Sequence, residues 1–376
     1  MKVLVAGDYA CRFRIDDTMT EEQYSELFDG ISVYVKHADI SIVNYENPVL
    51  SGSKNYVPIN KQGPHLKSSH KAVQAIADAG FNVVTLANNH IMDYGKEGCL
   101  NTIEVMKRYK IETVGAGEDI KEARKTLYKQ SQGKTLALIN CCEHEFSIAD
   151  ECSAGANPMN PIHQYYAITK AKKQADFVLV IVHGGHEYYQ LPSPRMQETY
   201  RFFIDAGADA VINHHQHCFS GYEYYHDKPI IYGLGNFCFD GRFRNGIWNE
   251  GYIVDLDFSD ITVGMSLIPY SQCNEKPGVF PLQDRCLFDE KLKNLNTVIA
   301  DPIALKKACE NYYVSQSPQL EMVFEPYSNK YLRKLKTLGI IPSFVGIHKW
   351  FALLNLIDCE AHRDKLLFLL RKKCQG

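Results

Sequence analysis

Short apolar runs recur along the first two thirds of the chain, at residues 3–6, 40–44, 83–87, 135–140, 177–182, 210–213 and 230–233. A strand covered on one face alternates polar and apolar positions. These runs do not, which predicts strands buried on both faces in a mostly parallel α/β arrangement. Amphipathic stretches lie between them. Ser68 or Ser69 caps a helix that turns Val73, Ile76 and Ala77 inward and stops at Ala79-Gly80. A second helix runs through Leu100, Ile103 and Met106 to Lys107 and Arg108. A third spans 194–206, with Pro194 in its first turn and Gly207 at its end. At 252–256 and 261–268 the pattern changes to alternation, which predicts an antiparallel pair. Residues 272–281 read as a linker, and from Asp289 onward the spacing is helical, at 304–313, 330–337, 350–357 and 365–370. The pattern therefore predicts a layered α/β domain over 1–271 and a helical extension over 282–376.

Composition narrows the function. The 376 residues are 45% hydrophobic and 23% charged, ordinary for a globular protein, and the formal net charge of -3 argues against nucleic acid as a partner. The twelve cysteines are scattered, with no CxxC pair and with Cys141 next to Cys142, so reduced thiols are expected. A strand begins directly after Met1, leaving no room for a signal peptide, and no apolar stretch is long enough to span a bilayer. A cytoplasmic protein without a transmembrane segment is the expectation. The helical extension reads as a cap on the main domain. Leu366 to Leu370 followed by Arg371-Lys372-Lys373 also suits a partner-binding or peripheral membrane surface.

The chemistry sits where the predicted strands end. The run 210–213 empties into His214-His215-Gln216-His217. Imidazole nitrogens ligate first-row metals, and alternate residues at a strand exit can converge on one ion, so His215 and His217 are candidate ligands. The first strand ends at Gly7-Asp8, and the second delivers Glu46 within Asn44-Tyr45-Glu46-Asn47-Pro48. The third ends in Asn88-Asn89-His90, with Asp93-Tyr94-Gly95 behind it. Asn89 offers a neutral amide oxygen, His90 a proton for a leaving group, and Asp93 a partner that fixes the His90 tautomer. The run 177–182 releases His183-Gly184-Gly185-His186-Glu187, where His183 is a further candidate ligand. Glu187 and Asn236 are placed on the substrate side of the same opening, and Arg12 and Arg14 are candidate partners for an anionic group. Five strand ends thus deliver oxygen and nitrogen donors and no thiolate. In a layered α/β domain the functional crevice lies at such carboxyl ends. The donor set suits a two-metal hydrolytic centre of Mn, Fe or Zn, in which paired cations lower the pKa of a shared water and neutralise charge on a phosphoryl or acyl oxygen.

In order and spacing, these segments and Leu234-Gly235-Asn236-Phe237 resemble the CapA-type capsule-synthesis family, over residues 1 to about 240. The resemblance implies a four-layered α/β/β/α metallophosphatase-like sandwich in place of an open sheet, carried by 1–271 and followed by the helical extension. It implies Asp8, Glu46, Asn89, His183, His215 and His217 as the positions holding two divalent metal ions, and His90 as the catalytic histidine. It also implies a part in capsular polysaccharide or poly-gamma-glutamate biosynthesis. Two departures stand out. Gly184 occupies the family's usual tryptophan position, and Asn213-His214-His215-Gln216-His217 replaces Gly-His-His-Pro-His, leaving the role of His214 open. The expected activity is a phosphoesterase-like, metal-dependent hydrolysis of a phosphoester or anionic polymer precursor, alongside other capsule-biosynthesis proteins. The rival expectation is a non-catalytic assembly or polymer-binding subunit that keeps the fold.

Overall fold

Each apolar run forms a strand, and the strands sort into two facing sheets. The computed structural model describes all residues except 17, 53–54, 243, 245, 260–262, 328, 375–376 and the Cys374 side chain. In the first sheet β1 (Lys2–Ala10), β2 (Ile40–Tyr45), β3 (Val83–Thr85) and β4 (Glu112–Val114) run parallel. Past β1 the sheet continues antiparallel through β14 (Glu250–Asp257), β15 (Gly264–Gln272) and β16 (Val279–Pro281). A short strand, β13 (Asn236–Phe239), pairs in parallel with the far end of β1.

The second sheet is built on parallel β7 (Lys134–Cys142), β9 (Phe177–His183), β10 (Ala210–His214) and β12 (Lys228–Ile231). Its edges are antiparallel, β6 (Leu127–Ser131) on one side and β11 (Tyr222–Tyr225) on the other. A small ladder joins β5 (Ala116–Gly117) to β8 (Gly155–Ala156).

Side-chain parity builds the layers. Val3, Val5, Ile40 and Ile42 meet Leu136, Leu138, Leu179, Ile181 and Ile212 in one core between the sheets. The alternate positions Leu4, Ala6, Val43 and Val84 face out, toward α1 (Glu21–Glu26), α2 (Ser32–His37), α3 (His70–Ala79) and α4 (Gly95–Arg108). On the far side Val178, Val180 and Val211 pack against Ile168 of α6 (Pro161–Lys172) and Tyr200 and Phe203 of α7 (Pro194–Asp205). A short α5 (Ile120–Ala123) lies beside β5, and α8 (Cys286–Ala300) adds Phe288 and Leu292 to the inter-sheet core. The result is the four-layered α/β/β/α sandwich expected. Each aliphatic side chain fully buried in these cores contributes roughly 1.5–3 kcal/mol relative to exposure. No disulfide joins the cysteines whose side chains are described.

The helix ends agree with the sequence signals except at the start of α3, where Ser69 takes the N-cap position without a side-chain capping bond. Gly80 closes α3 in the left-handed region at φ 107°, and Ser193 caps α7 through the Met196 amide. The segment 272–281 is not a bare linker, because β16 adds a strand to the first sheet there. Residues 261 and 262 of the strand expected at 261–268 lie outside the described residues; the remainder falls in β15. The chain divides into two compact units, Met1–Lys306 and Lys307–Gly376, so the first unit takes in α8 as well. The division falls inside α9 (Pro302–Phe324), and α10 (Lys330–Thr337), α11 (Ile347–Asp358) and α12 (Glu360–Cys374) complete the second unit.

Candidate metal centre

The strand ends converge because parity carries the inter-sheet face past the last apolar residue. Ile42 points between the sheets, so Asn44 and Glu46, two and four positions on, do the same. Ile181 likewise leads to His183, and Ile212 to His214, paired across β9 and β10. Asp8 needs a device. By strict alternation it would share the outer face with Leu4 and Ala6. The register between β1 and β2 slips by one residue between Ala6 and Asp8, and this bulge turns Asp8 inward. Gly7 is the extra residue; a Cβ there would sit 2.0 Å from the Gly235 carbonyl oxygen. Gly7 therefore serves the approach of two backbone segments, not of an ion. After His214 the chain leaves the strand with φ of 92° at His215 and 54° at His217, a strained conformation for residues with a side chain.

Two groups of three side chains have potential ligand atoms within 4.8 Å of one another: Glu46 with His183 and His215, and Asp8 with Glu46 and His217. Glu46 belongs to both. Its two oxygens are buried and have no hydrogen-bond partner. His183 Nε2 is 3.8 Å from Glu46 Oε1, and His217 Nε2 is 3.7 Å from it. Those separations exceed hydrogen bonds but suit donors each about 2.0–2.2 Å from a common cation. Asn89 Oδ1 and His215 Nδ1 both lie 3.1 Å from His183 Nε2. Asp8 Oδ1 accepts from Asn44 Nδ2 at 2.7 Å, and Oδ2 accepts the His215 amide at 3.2 Å. All six expected ligand positions are thus gathered in one buried cluster.

The surrounding groups orient it. His217 Nδ1 donates to Asn236 Oδ1 at 3.0 Å, which leaves Nε2 as the nitrogen facing Glu46. The Asn236 amide nitrogen donates to the carbonyls of His217 and Trp248. With both ends of its amide committed, Asn236, expected on the substrate side, orients His217. His90 Nδ1 meets Asp93 Oδ2 at 2.7 Å, the pairing expected for a tautomer-fixing carboxylate. No described group bonds His90 Nε2. Lys61, outside the residues expected at the site, ion-pairs with Asp93 and stands 3.1 Å from His90 Nδ1.

Without a cation the cluster is electrostatically unsettled. Burial, then repulsion from Asp8 and the more distant Glu187 and Glu145, drives the Glu46 carboxyl well above its usual range. Burial pushes Asp8 the same way, but His214, His183 and His217 outweigh it and hold Asp8 low. Burial leads in lowering the histidines: His183 falls well below its usual value, His217 to about 4, and His90 also falls. Neutral imidazoles beside two carboxylates form a donor set that a divalent cation satisfies. The residues present fit such an ion.

Other expectations are resolved unevenly. Arg12 is half-buried, its guanidinium stacked on Phe13 at 4.5 Å, with no carboxylate partner among the described residues. Arg14 is not available to a substrate: it forks onto Asp240 at 2.9 and 2.8 Å and donates to the carbonyls of 273, 274 and 275. Glu187 is exposed, and its charge reaches both Glu46 and His217. His214 is buried with both ring nitrogens unbonded, Nδ1 3.4 Å from Asp8 Oδ1. Inward parity from Ile212 was the available signal for His214, as it was for Asn44. For Lys61 and for Glu145, 3.6 Å from His215 Nε2, no sequence pattern gave a signal.

The bacterial capsule synthesis protein PGA_cap family model matches residues 2–241. The chain belongs to this family. Among curated relatives it is 34% identical over 247 residues to the capsule biosynthesis protein CapA of Bacillus anthracis, covering 64% of this chain and 60% of that one. It is 33% identical over 231 residues to the PGA biosynthesis protein CapA of Bacillus subtilis (strain 168), covering 60% of each. The matches therefore span 60% of the length of these relatives. Among solved structures, a phosphatase from Mycoplasma pneumoniae aligns with 14% identity over 72% of this chain and 92% of that one, at a TM-score of 0.44.

Proposed function

We propose that this PGA_cap chain is a metal-dependent, phosphoesterase-like hydrolase acting in capsular polysaccharide or poly-gamma-glutamate production. The observation that carries the reading is Glu46, sealed from water with neither oxygen bonded, at the shared corner of two ligand triads. A buried carboxylate left in that state costs several kcal/mol unless a cation or a proton neutralises it. Asp8, Glu46 and His217 would hold one divalent ion, and Glu46, His183 and His215, with Asn89, a second. Mn, Fe and Zn suit this oxygen and nitrogen set. When bound, such ions activate water and neutralise charge on a phosphoryl oxygen.

The protein's own groups supply the rest. Asp93 accepts a hydrogen bond from His90 Nδ1 and fixes the ring; with the imidazole in its protonated form, Nε2–H gives its proton to the departing oxygen and the ring is left neutral. Lys61 ion-pairs with Asp93 beside the His90 ring and holds that dyad in place. Asn236 and Asn44 keep His217, Asp8 and His183 aimed inward. Arg12, without a carboxylate partner among the described residues, would meet an anionic portion of the substrate, with the exposed Glu187 as a further substrate contact. The test is elemental analysis of the purified protein, with turnover of phosphoesters and gamma-glutamyl amides measured before and after chelation. Bound divalent metal and chelator-sensitive phosphoester hydrolysis are expected. Protein that binds no metal and turns over neither substrate class would sink the reading and leave an assembly or polymer-binding subunit.

A further inference from the structure

The second unit, Lys307–Gly376, buries very little of what it carries. Among its described apolar side chains only Cys309, Tyr327 and Val345 are buried. In α11, Ile347, Phe351 and Leu354 recur at positions i, i+4 and i+7, and are 62%, 63% and 61% exposed. That spacing makes one continuous stripe along the helix. In α12, Leu367 to Leu370 are all exposed, Phe368 to 71%. Scattered surface apolar residues need no explanation, but a contiguous stripe on a unit with almost no interior needs a cover.

Charge identifies the cover. Residues 307–376 carry eleven Lys and Arg against six Asp and Glu, in a chain whose formal total is -3. Arg371, Lys372 and Lys373 follow the exposed apolar run of α12 directly, and α10 carries Lys330, Arg333, Lys334 and Lys336 within eight residues. Exposed aromatic and aliphatic side chains beside clustered basic groups match an anionic lipid surface. The apolar groups enter the acyl boundary while the cations meet the headgroups, at about 1 kcal/mol per basic residue near the surface. A second copy of this chain would bring its own net positive unit against this one. No described helix is long and apolar enough to cross a membrane, so the mode is lying on the bilayer.

We infer that the helical unit 307–376 is a peripheral docking surface for an anionic phospholipid membrane, through the apolar stripe of α11 and α12 and the basic groups beside it. The experiment is flotation of the full chain with vesicles of phosphatidylcholine alone or mixed with phosphatidylglycerol, paired with sedimentation velocity without lipid. Binding should appear with the anionic vesicles, weaken in high salt, and be nearly absent with phosphatidylcholine alone. The variant Phe351→Glu, Leu354→Glu, Phe368→Glu alters only exposed side chains and should lose at least tenfold in bound fraction. Reversing Arg371, Lys372 and Lys373 to Glu keeps the apolar stripe and should lose the preference for anionic lipid. Absence of binding to the anionic vesicles overturns the proposal, whether the chain is monomeric, its stripe covered by its own residues, or self-associates through the stripe as a second-copy interface. Equal binding to both vesicle types overturns it too.

Discussion

A carboxylate closed off from water with neither oxygen bonded survives either as the neutral acid or against a cation. Glu46 is in that position, and the two states respond oppositely to Glu46→Gln. In chelated protein the substitution removes a buried group that burial and Asp8 already disfavour in its charged form, so stability should hold or rise by about 1–2 kcal/mol. In metal-loaded protein it removes the shared ligand, so metal content should fall and the thermal midpoint should drop. Denaturant unfolding with and without chelator reads both arms; a loss of stability equal in the two conditions would mean Glu46 has only a packing role. His90 makes a separate demand. Its Nδ1 is engaged by Asp93 while Nε2 has no described partner, so His90→Ala should leave metal content intact. Phosphoester turnover should fall by about 10²–10⁴-fold, the usual worth of a positioned general acid. A variant that keeps its metals and full turnover would remove His90 from the mechanism.

At the scale of elements, the β1 bulge decides whether Asp8 reaches the cluster at all. Gly7→Ala puts a methyl 2.0 Å from the Gly235 carbonyl oxygen, and neither backbone segment can yield without breaking the hydrogen bond that the Asp8 N–H donates to that oxygen. Destabilisation of about 3 kcal/mol or more is expected, with metal content falling alongside, as read by chemical denaturation and elemental analysis. The anchor between Arg14 and Asp240 makes a pH prediction. Burial raises the Asp240 carboxyl, but Arg14 and two backbone amides prevail and hold it below its usual value. A depressed folded pKa contributes stability above the unfolded value near about 4, lost as pH falls through the folded one. Asp240→Asn should therefore destabilise at neutral pH and converge with the wild type in acid. Strand existence was legible because parallel strands buried on both faces are apolar throughout, as 177–182 and 210–213 show. Partner choice was not: nothing local in residues 236–239 announces a strand that pairs with β1, more than two hundred residues earlier. The candidate ligand positions were readable as polar residues following apolar runs. The bulge, the Asn236 bonds and Lys61 depend on contacts distant in sequence, which periodicity does not encode.

For the whole molecule, two tryptophans allow the candidate metal centre to be followed apart from the rest of the chain. Trp248 lies 5.1 Å from the His217 ring in the first unit, and Trp350 packs on Phe324 in the second. In a Trp350→Phe protein the remaining indole reports events at His217. Asp8, Glu46 and His217 would hold a divalent cation, whose charge would change the field at Trp248, so its emission should shift as divalent metal is titrated into chelated protein. Ions held by this cluster would bind the folded state and not the unfolded one. At a free concentration of one hundred times the dissociation constant they stabilise it by about 2.7 kcal/mol. The cores of the first unit and the cluster between its sheets share β1, β2, β9 and β10, so that free energy is felt by the sandwich as a unit and not by the histidine loop alone. Chelation should therefore lower the thermal midpoint followed through Trp248 by several degrees, and re-added Mn or Zn should restore it. A midpoint indifferent to chelator, or one that moves while Trp248 emission stays fixed during the titration, would locate the metal elsewhere and break the link between Glu46 and the fold's stability.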